Sequence, residues 1–416
     1  MGSTTQDKND YHQHVPPKGL LRFLDEITTD PYAYSEQVRN GPIFPAIWAQ
    51  WQGNLSQPFR GITNDGTKRE GIYSLQDEGA PVTEMVTAAR NALEALSPDQ
   101  RQKASLDLDS EDWRKWCNPE IIVHDLGVRL EHLRQAQVDL IMEVLRKSLS
   151  EVGFAKSRGA MKANKFLGEI CHRQPILNEG SFFFFISGTP SEQEPWGFTF
   201  FGHHLVLNIF VVGSQMTIGP AFIGAEPNII DSGPDAGTEL CTKEAALGLH
   251  LMQSLGAELQ RKAQIYCEMH DPGMPPGRWN FADQRHVAGA FQDNRIIPYE
   301  GVVATCMTDQ QQSALLSIAA AFLELLPKQP LEHRLRQIRE HLSETYFSWI
   351  GGFTDDDAFY YRIQSPVVLL EFDHHSGVFL TNQEPAKYHI HTIIRTPNGN
   401  DYGRELIRQY REGATQ

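Results

Sequence analysis

Two histidine clusters, almost two hundred residues apart, carry the residue types best suited to chemistry in this chain. The first is Gly202-His203-His204-Leu205, inside an extended apolar run. The second is His389-Ile390-His391-Thr392, which leads into Arg395 and the turn-rich stretch Asn398-Gly-Asn-Asp401-Tyr402-Gly403. Neutral imidazole is the commonest protein ligand for transition metals. Histidines two residues apart on a strand point the same way, so two such strands side by side can hold one metal ion.

Alternation sorts these residues by face. Read as one strand, Trp196 to Val212 puts His204 and Asn208 on a mixed polar and aromatic face. His203 falls on the face that continues as Leu205, Leu207 and Ile209. His204 is therefore the expected ligand, unless a bulge at Gly202 shifts the register. His389, His391 and Arg395 share a face of the last strand, and three polar groups there are costly without partners. The expected metal set is His204, His389 and His391, with His203 and Glu226 (before Pro227) as secondary members. Arg395 is expected to bind a substrate carboxylate or stabilise developing negative charge. Glu371 and Asp373, on one face of the preceding strand, would orient a ligand or act as general base. Asp401 would cap the closing helix and could face the same cavity. His172, His250, His270, His286 and His374 stand without partners in the pattern and read as ordinary surface or core residues.

Such a site suits a divalent transition metal: zinc first, with iron or copper as alternatives. Zinc would bring hydrolysis or a lyase step, and iron or copper an oxygen-dependent oxidation. The competing reading is a metal-free protein that binds a small ligand through the same histidines, either simply holding it or moving a proton on it. No GxGxxG, P-loop or GxSxG pattern occurs, which removes the usual support for dinucleotide, nucleotide and serine-hydrolase readings. A formal net charge of −15 disfavours nucleic acid and anionic membrane surfaces as partners. No run approaches the roughly 18–20 apolar residues of a membrane span. Five scattered cysteines without a CxxC pair fit reduced thiols, so a cytoplasmic protein with a small-molecule substrate is expected.

The elements that must position these residues are legible in outline. Residues 1–45 read as an irregular arm and 46–416 as one α+β domain. Its helical part spans about 78–170, and strand-rich parts span about 181–227 and 357–396. Val86, Ala89, Leu93 and Leu96 repeat at helical spacing, and Leu126 to Leu149 reads as a long amphipathic helix. Strands are expected at Phe182 to Ile186, Trp196 to Val212, Met216 to Ile223, Phe359 to Ile363, Val367 to Phe372, Val378 to Leu380 and Tyr388 to Arg395. Their hairpin-like succession predicts a largely antiparallel sheet that carries both histidine clusters and is packed by helices.

Four motifs give a resemblance. They are Pro195-Trp-Gly-Phe-x-Phe-x-Gly-His-His-Leu-x-Leu-Asn208, Phe222-x-Gly-Ala-Glu-Pro227, Asp293-Asn-Arg295 and His389-Ile-His-Thr-x-x-Arg-Thr-Pro-Asn-Gly-Asn-Asp-Tyr-Gly403. With Trp113-Arg-x-Trp116-x-Asn-Pro119 they make about residues 58–412 similar to the uncharacterised family called domain of unknown function 3500. The resemblance implies no reaction. Its fungal members can neighbour natural-product genes, which implies a natural-product substrate.

Overall fold

Runs rich in Phe, Val and Ile, broken by Gly, Pro and Asn, fold into eight long strands. They are β1 (Phe182–Ser187), β2 (Trp196–Gly202), β3 (Leu205–Val212), β4 (Gln215–Ala225), β5 (Tyr346–Gly351), β6 (Phe359–Gln364), β7 (Leu369–His374) and β8 (Ile390–Arg395). The computed structural model describes residues 9–18 and 29–414. In it the strands lie in the order β1-β2-β3-β4-β8-β7-β6-β5, every neighbouring pair antiparallel. Short strands such as Ser105–Leu106 and Val302–Val303 extend both edges to twelve. The expected α+β class with a largely antiparallel sheet is what the chain adopts.

The seam between β4 and β8 brings the distant histidine clusters together. His391 pairs with Gly224 on one side and Asp373 on the other. One face of the sheet therefore carries the row Gly224, His391, Asp373, Tyr360, and beside it the row Phe222, Ile393, Glu371, Arg362. The opposite face packs on α1 (Glu151–Ile170), α2 (Thr242–Ser254) and α3 (Asp309–Leu323). Lys156, Glu244 and Phe322 from these helices line a small cavity with Ile223 and Thr392. Local chemistry starts the helices: Ser150 accepts from the Gly153 N–H, and Thr308 forms a capping box with Gln311.

Several boundaries differ from the sequence reading. The helix expected from Leu126 begins only at Gln135, because Val128–Arg129 pairs with Phe183 and Phe184 of β1. Tertiary pairing overrides the helical periodicity there. The long strand Trp196 to Val212 is two strands with a hairpin turn at His203-His204. Val378 to Leu380 is a loop, its N–H groups taken by Glu226 instead of a neighbouring strand. The arm is not irregular throughout: Asp30 caps a helix at Pro31–Arg39, and a second begins at Phe44. Residues 1–8 and 19–28 of that arm lie outside the described residues.

Candidate metal centre

The turn between β2 and β3 sets the first ligand. Gly202 pairs with Leu205, which leaves His203 and His204 at the tip, and His204 takes a left-handed backbone (φ 61°). Two backbone bonds hold that tip over the seam: the His204 N–H donates to the Asn118 carbonyl (3.1 Å) and the Gly224 N–H to the His204 carbonyl (2.8 Å). Gly224 also makes room for His391, since a Cβ there would stand 2.9 Å from the imidazole Cδ2 and 2.7 Å from the Ile390 carbonyl.

Three Nε2 atoms meet at this point. His391 Nε2 is 3.0 Å from His204 Nε2 and 3.1 Å from His389 Nε2. The His389 Nδ1 lies 2.8 Å from the Ser376 carbonyl, which can only accept, so Nδ1 carries the proton and Nε2 presents a lone pair. A single proton on His391 Nε2 can serve one of its two close neighbours and never both. Burial, then repulsion from adjacent imidazoles, holds His204 and His391 well below the ordinary histidine pKa, which disfavours extra protons there. A cation among the three nitrogens satisfies all of them at once.

Ring spacing supports that reading. A metal about 2.0–2.1 Å from each nitrogen sits about 3.2 Å from each ring centre, so tetrahedral ligands have ring centres about 5.2 Å apart. The three spacings here are 4.8, 4.9 and 5.4 Å. His204, His389 and His391 could therefore hold a metal ion, as their grouping and burial indicate.

The secondary ligand candidates are otherwise engaged. His203 stacks on His204 and points its Nδ1 at Asn164 Oδ1 (2.8 Å), away from the three nitrogens. Glu226 accepts three backbone N–H groups, from Val378, Phe379 and Leu380, and reaches no closer than 3.7 Å to His389 Nδ1. It anchors the loop that carries Ser376, and so acts on His389 from behind.

The expected catalytic charges turn out to rivet one loop. Glu371 accepts from the Val287 and Ala288 N–H groups (2.8 and 2.9 Å) and from the Tyr360 hydroxyl. Asp373 pairs with the Arg285 Nε at 2.6 Å. Arg395 donates to the Ala288 and Gly289 carbonyls and pairs with Asp293 and Asp401. Residues 285–289 thus form a roof over the histidines. With four protein partners and no exposure, Arg395 is a clamp in place of the substrate anchor expected of it. Asp401 does not cap the closing helix: it folds back onto Thr396 and Arg395, where burial pushes its carboxyl up to about 6. The same network takes in Trp116, Tyr402, Asp293 and Arg114, which ties three of the sequence motifs into one buried structural unit.

Sequence reasoning missed two histidines. His286 comes down from the roof, and His375 follows β7 on the face of Glu371 and Asp373. The i, i+2, i+4 spacing of Glu371, Asp373 and His375 was the available signal for the second. Nothing in the sequence marks His286. With His391 they form a second group of three, but its ring spacings of 3.7, 5.7 and 6.2 Å are too uneven for one ion. His375 instead has its Nε2 3.0 Å from Asp373 Oδ2. Burial opposes a proton on His286, yet Glu371, Asp373 and Asp283 around it outweigh that and raise its pKa.

A family model described as "Protein of unknown function (DUF3500)" matches residues 78–404, a span that holds both histidine clusters. No curated protein and no solved structure matches the chain. Among the described residues no helix is long and apolar enough to cross a membrane.

Proposed function

Because this chain belongs to the DUF3500 family, whose description assigns no reaction, we propose from geometry alone that it is a metal-dependent enzyme acting on a small organic molecule. The observation that carries this reading is the meeting of three imidazole Nε2 atoms, those of His204 and His389 at 3.0 and 3.1 Å from that of His391, with one proton too few to reconcile them. Three histidines with no carboxylate or thiolate in the set leave a fourth position open, as catalytic zinc sites do. When bound, the ion supplies Lewis acidity toward a substrate or water. Around it, the Ser376 carbonyl fixes the His389 tautomer, and the buried His375, its pKa held low by desolvation, lies 3.0 Å from Asp373 Oδ2. We take hydrolytic or lyase chemistry as the first reading.

A second reading, oxygen-dependent oxidation with iron or copper, draws support from the closure of the site. His204 and His391 are each 4% exposed and His389 not at all, which suits a gas-sized co-substrate. Elemental analysis of untagged protein, wild type beside His389→Ala/His391→Ala, tests the proposal. We expect near-stoichiometric metal in wild type and none in the variant, with zinc directing assays to hydrolysis and iron or copper to oxygen uptake. Equal metal content in both would sink it.

A further inference from the structure

Beside the roof lies a buried cation with two of its donor nitrogens unused. Arg278 is only 7% exposed, yet its Nε and one terminal nitrogen, Nη2, have no hydrogen-bond partner among the described residues. Its other terminal nitrogen is held by the carbonyl of Arg285, the residue just before His286, and its guanidinium lies over the Tyr360 ring at 5.1 Å. Tyr360, in the row that carries His391, in turn bonds to Glu371 in the row beside it. Arg295 flanks the same turn: its Nη2 donates to the carbonyl of Gly277, next to Arg278 (2.8 Å). Arg295 is half-buried.

Unmatched buried donors cost free energy, and two like charges flanking one turn add to that cost. Nε and Nη2 lie on one edge of a guanidinium, the edge that fits two oxygens of a planar oxyanion. Arg395, by contrast, has its corresponding edge filled by backbone carbonyls.

We propose that Arg278, assisted by Arg295, binds a carboxylate of the substrate and holds it at the entrance to the histidine centre. This deepens the reading of that centre as catalytic and rests on it: the substrate class becomes small carboxylic acids, gripped by an edge-on guanidinium beside the roof.

Malonate and inorganic phosphate serve as probes, with binding read by calorimetry and thermal shift on wild type, Arg278→Gln, Arg278→Lys and Arg295→Gln, and metal content measured on the same preparations. We expect malonate to bind wild type better than phosphate, to bind Arg278→Gln at least about 10-fold more weakly, and to respond only partly to lysine, which keeps the charge without the fork. Arg295→Gln, less buried, should fold normally and weaken malonate several-fold, so the site stays testable if Arg278→Gln is unstable. Malonate affinity unchanged in the arginine variants, or binding of phosphate in preference to malonate, would overturn the proposal. Metal-loaded protein with Arg278-independent malonate binding removes this inference alone. Metal-free wild type that still grips malonate through Arg278 removes the catalytic-metal reading and leaves the carboxylate site standing.

Discussion

At the scale of single residues, the histidines divide by what their second nitrogen does. His389 has its Nδ1 fixed on Ser376 and is committed as a lone-pair donor, whereas His203 gives its Nδ1 to Asn164 and stays outside. Sequence alone cannot show these second partners, since Ser376 contributes only a carbonyl and Asn164 sits on a helix far from either cluster. His204 stands in the three-nitrogen group, but the face argument does not apply to it, because it occupies a turn and not a strand. That turn separates its two roles. At φ 61° a non-glycine residue carries strain of about 1 kcal/mol, which glycine relieves. His204→Gly should therefore lose metal completely while its metal-free form unfolds at least as late as that of His204→Ala, by about 1 kcal/mol in urea titration. A glycine variant that retains metal, or is clearly less stable than alanine, would remove His204 from the site.

At the scale of elements, β1, β4, β6, β7 and β8 fall close to where periodicity puts them, because their apolar runs and breaks are unambiguous, whereas β5 was not expected. The hairpin tip was hidden because Gly-His-His-Leu lacks the Asn-Gly or Asp-Gly signal of a two-residue turn. The roof was hidden for another reason. Charged residues in a strand pattern look the same whether they face a substrate or a loop, and nothing in Glu371 or Asp373 tells which. Their partners are backbone N–H groups and an arginine 88 residues upstream. Removing the charge of Glu371 should loosen the roof before anything else. Glu371→Gln is expected to cost about 2–4 kcal/mol, since two amides and the Tyr360 hydroxyl lose a charged acceptor in a buried place. Hydrogen exchange at Val287 and Ala288 should accelerate with it. Unaltered protection at those two amides would mean that the roof is held by other means.

At the scale of the whole molecule, the centre belongs to neither half of the sheet. His204 comes from the β2–β3 hairpin and His389 and His391 from the far side of the β4–β8 seam, so a bound ion cross-links the two. Burying so many neutral imidazoles also makes the metal-free fold acid-sensitive. Burial lowers His374 to about 3 and His124 to about 4, and neither belongs to the three-nitrogen set. Between those values and about 6.5 the unfolded chain binds protons that the folded chain refuses, so stability is complete above about 6.5 and falls as pH drops. His374 alone contributes at most about 1.4 kcal/mol per pH unit, and the partly exposed His124 less. Urea midpoints of metal-free protein should fall steeply from pH 7.5 to 5.0; a flat profile would contradict the burial of these rings. The roof has one more consequence. With its backbone fastened at Glu371 and Arg395, the loop would hold back an ion bound beneath it, so the residence time of such an ion would depend on a local unfolding free energy as well as on three nitrogen bonds. Occupancy would then carry a record of supply at the moment of folding: two cultures fed different trace metals would yield one sequence with two elemental signatures.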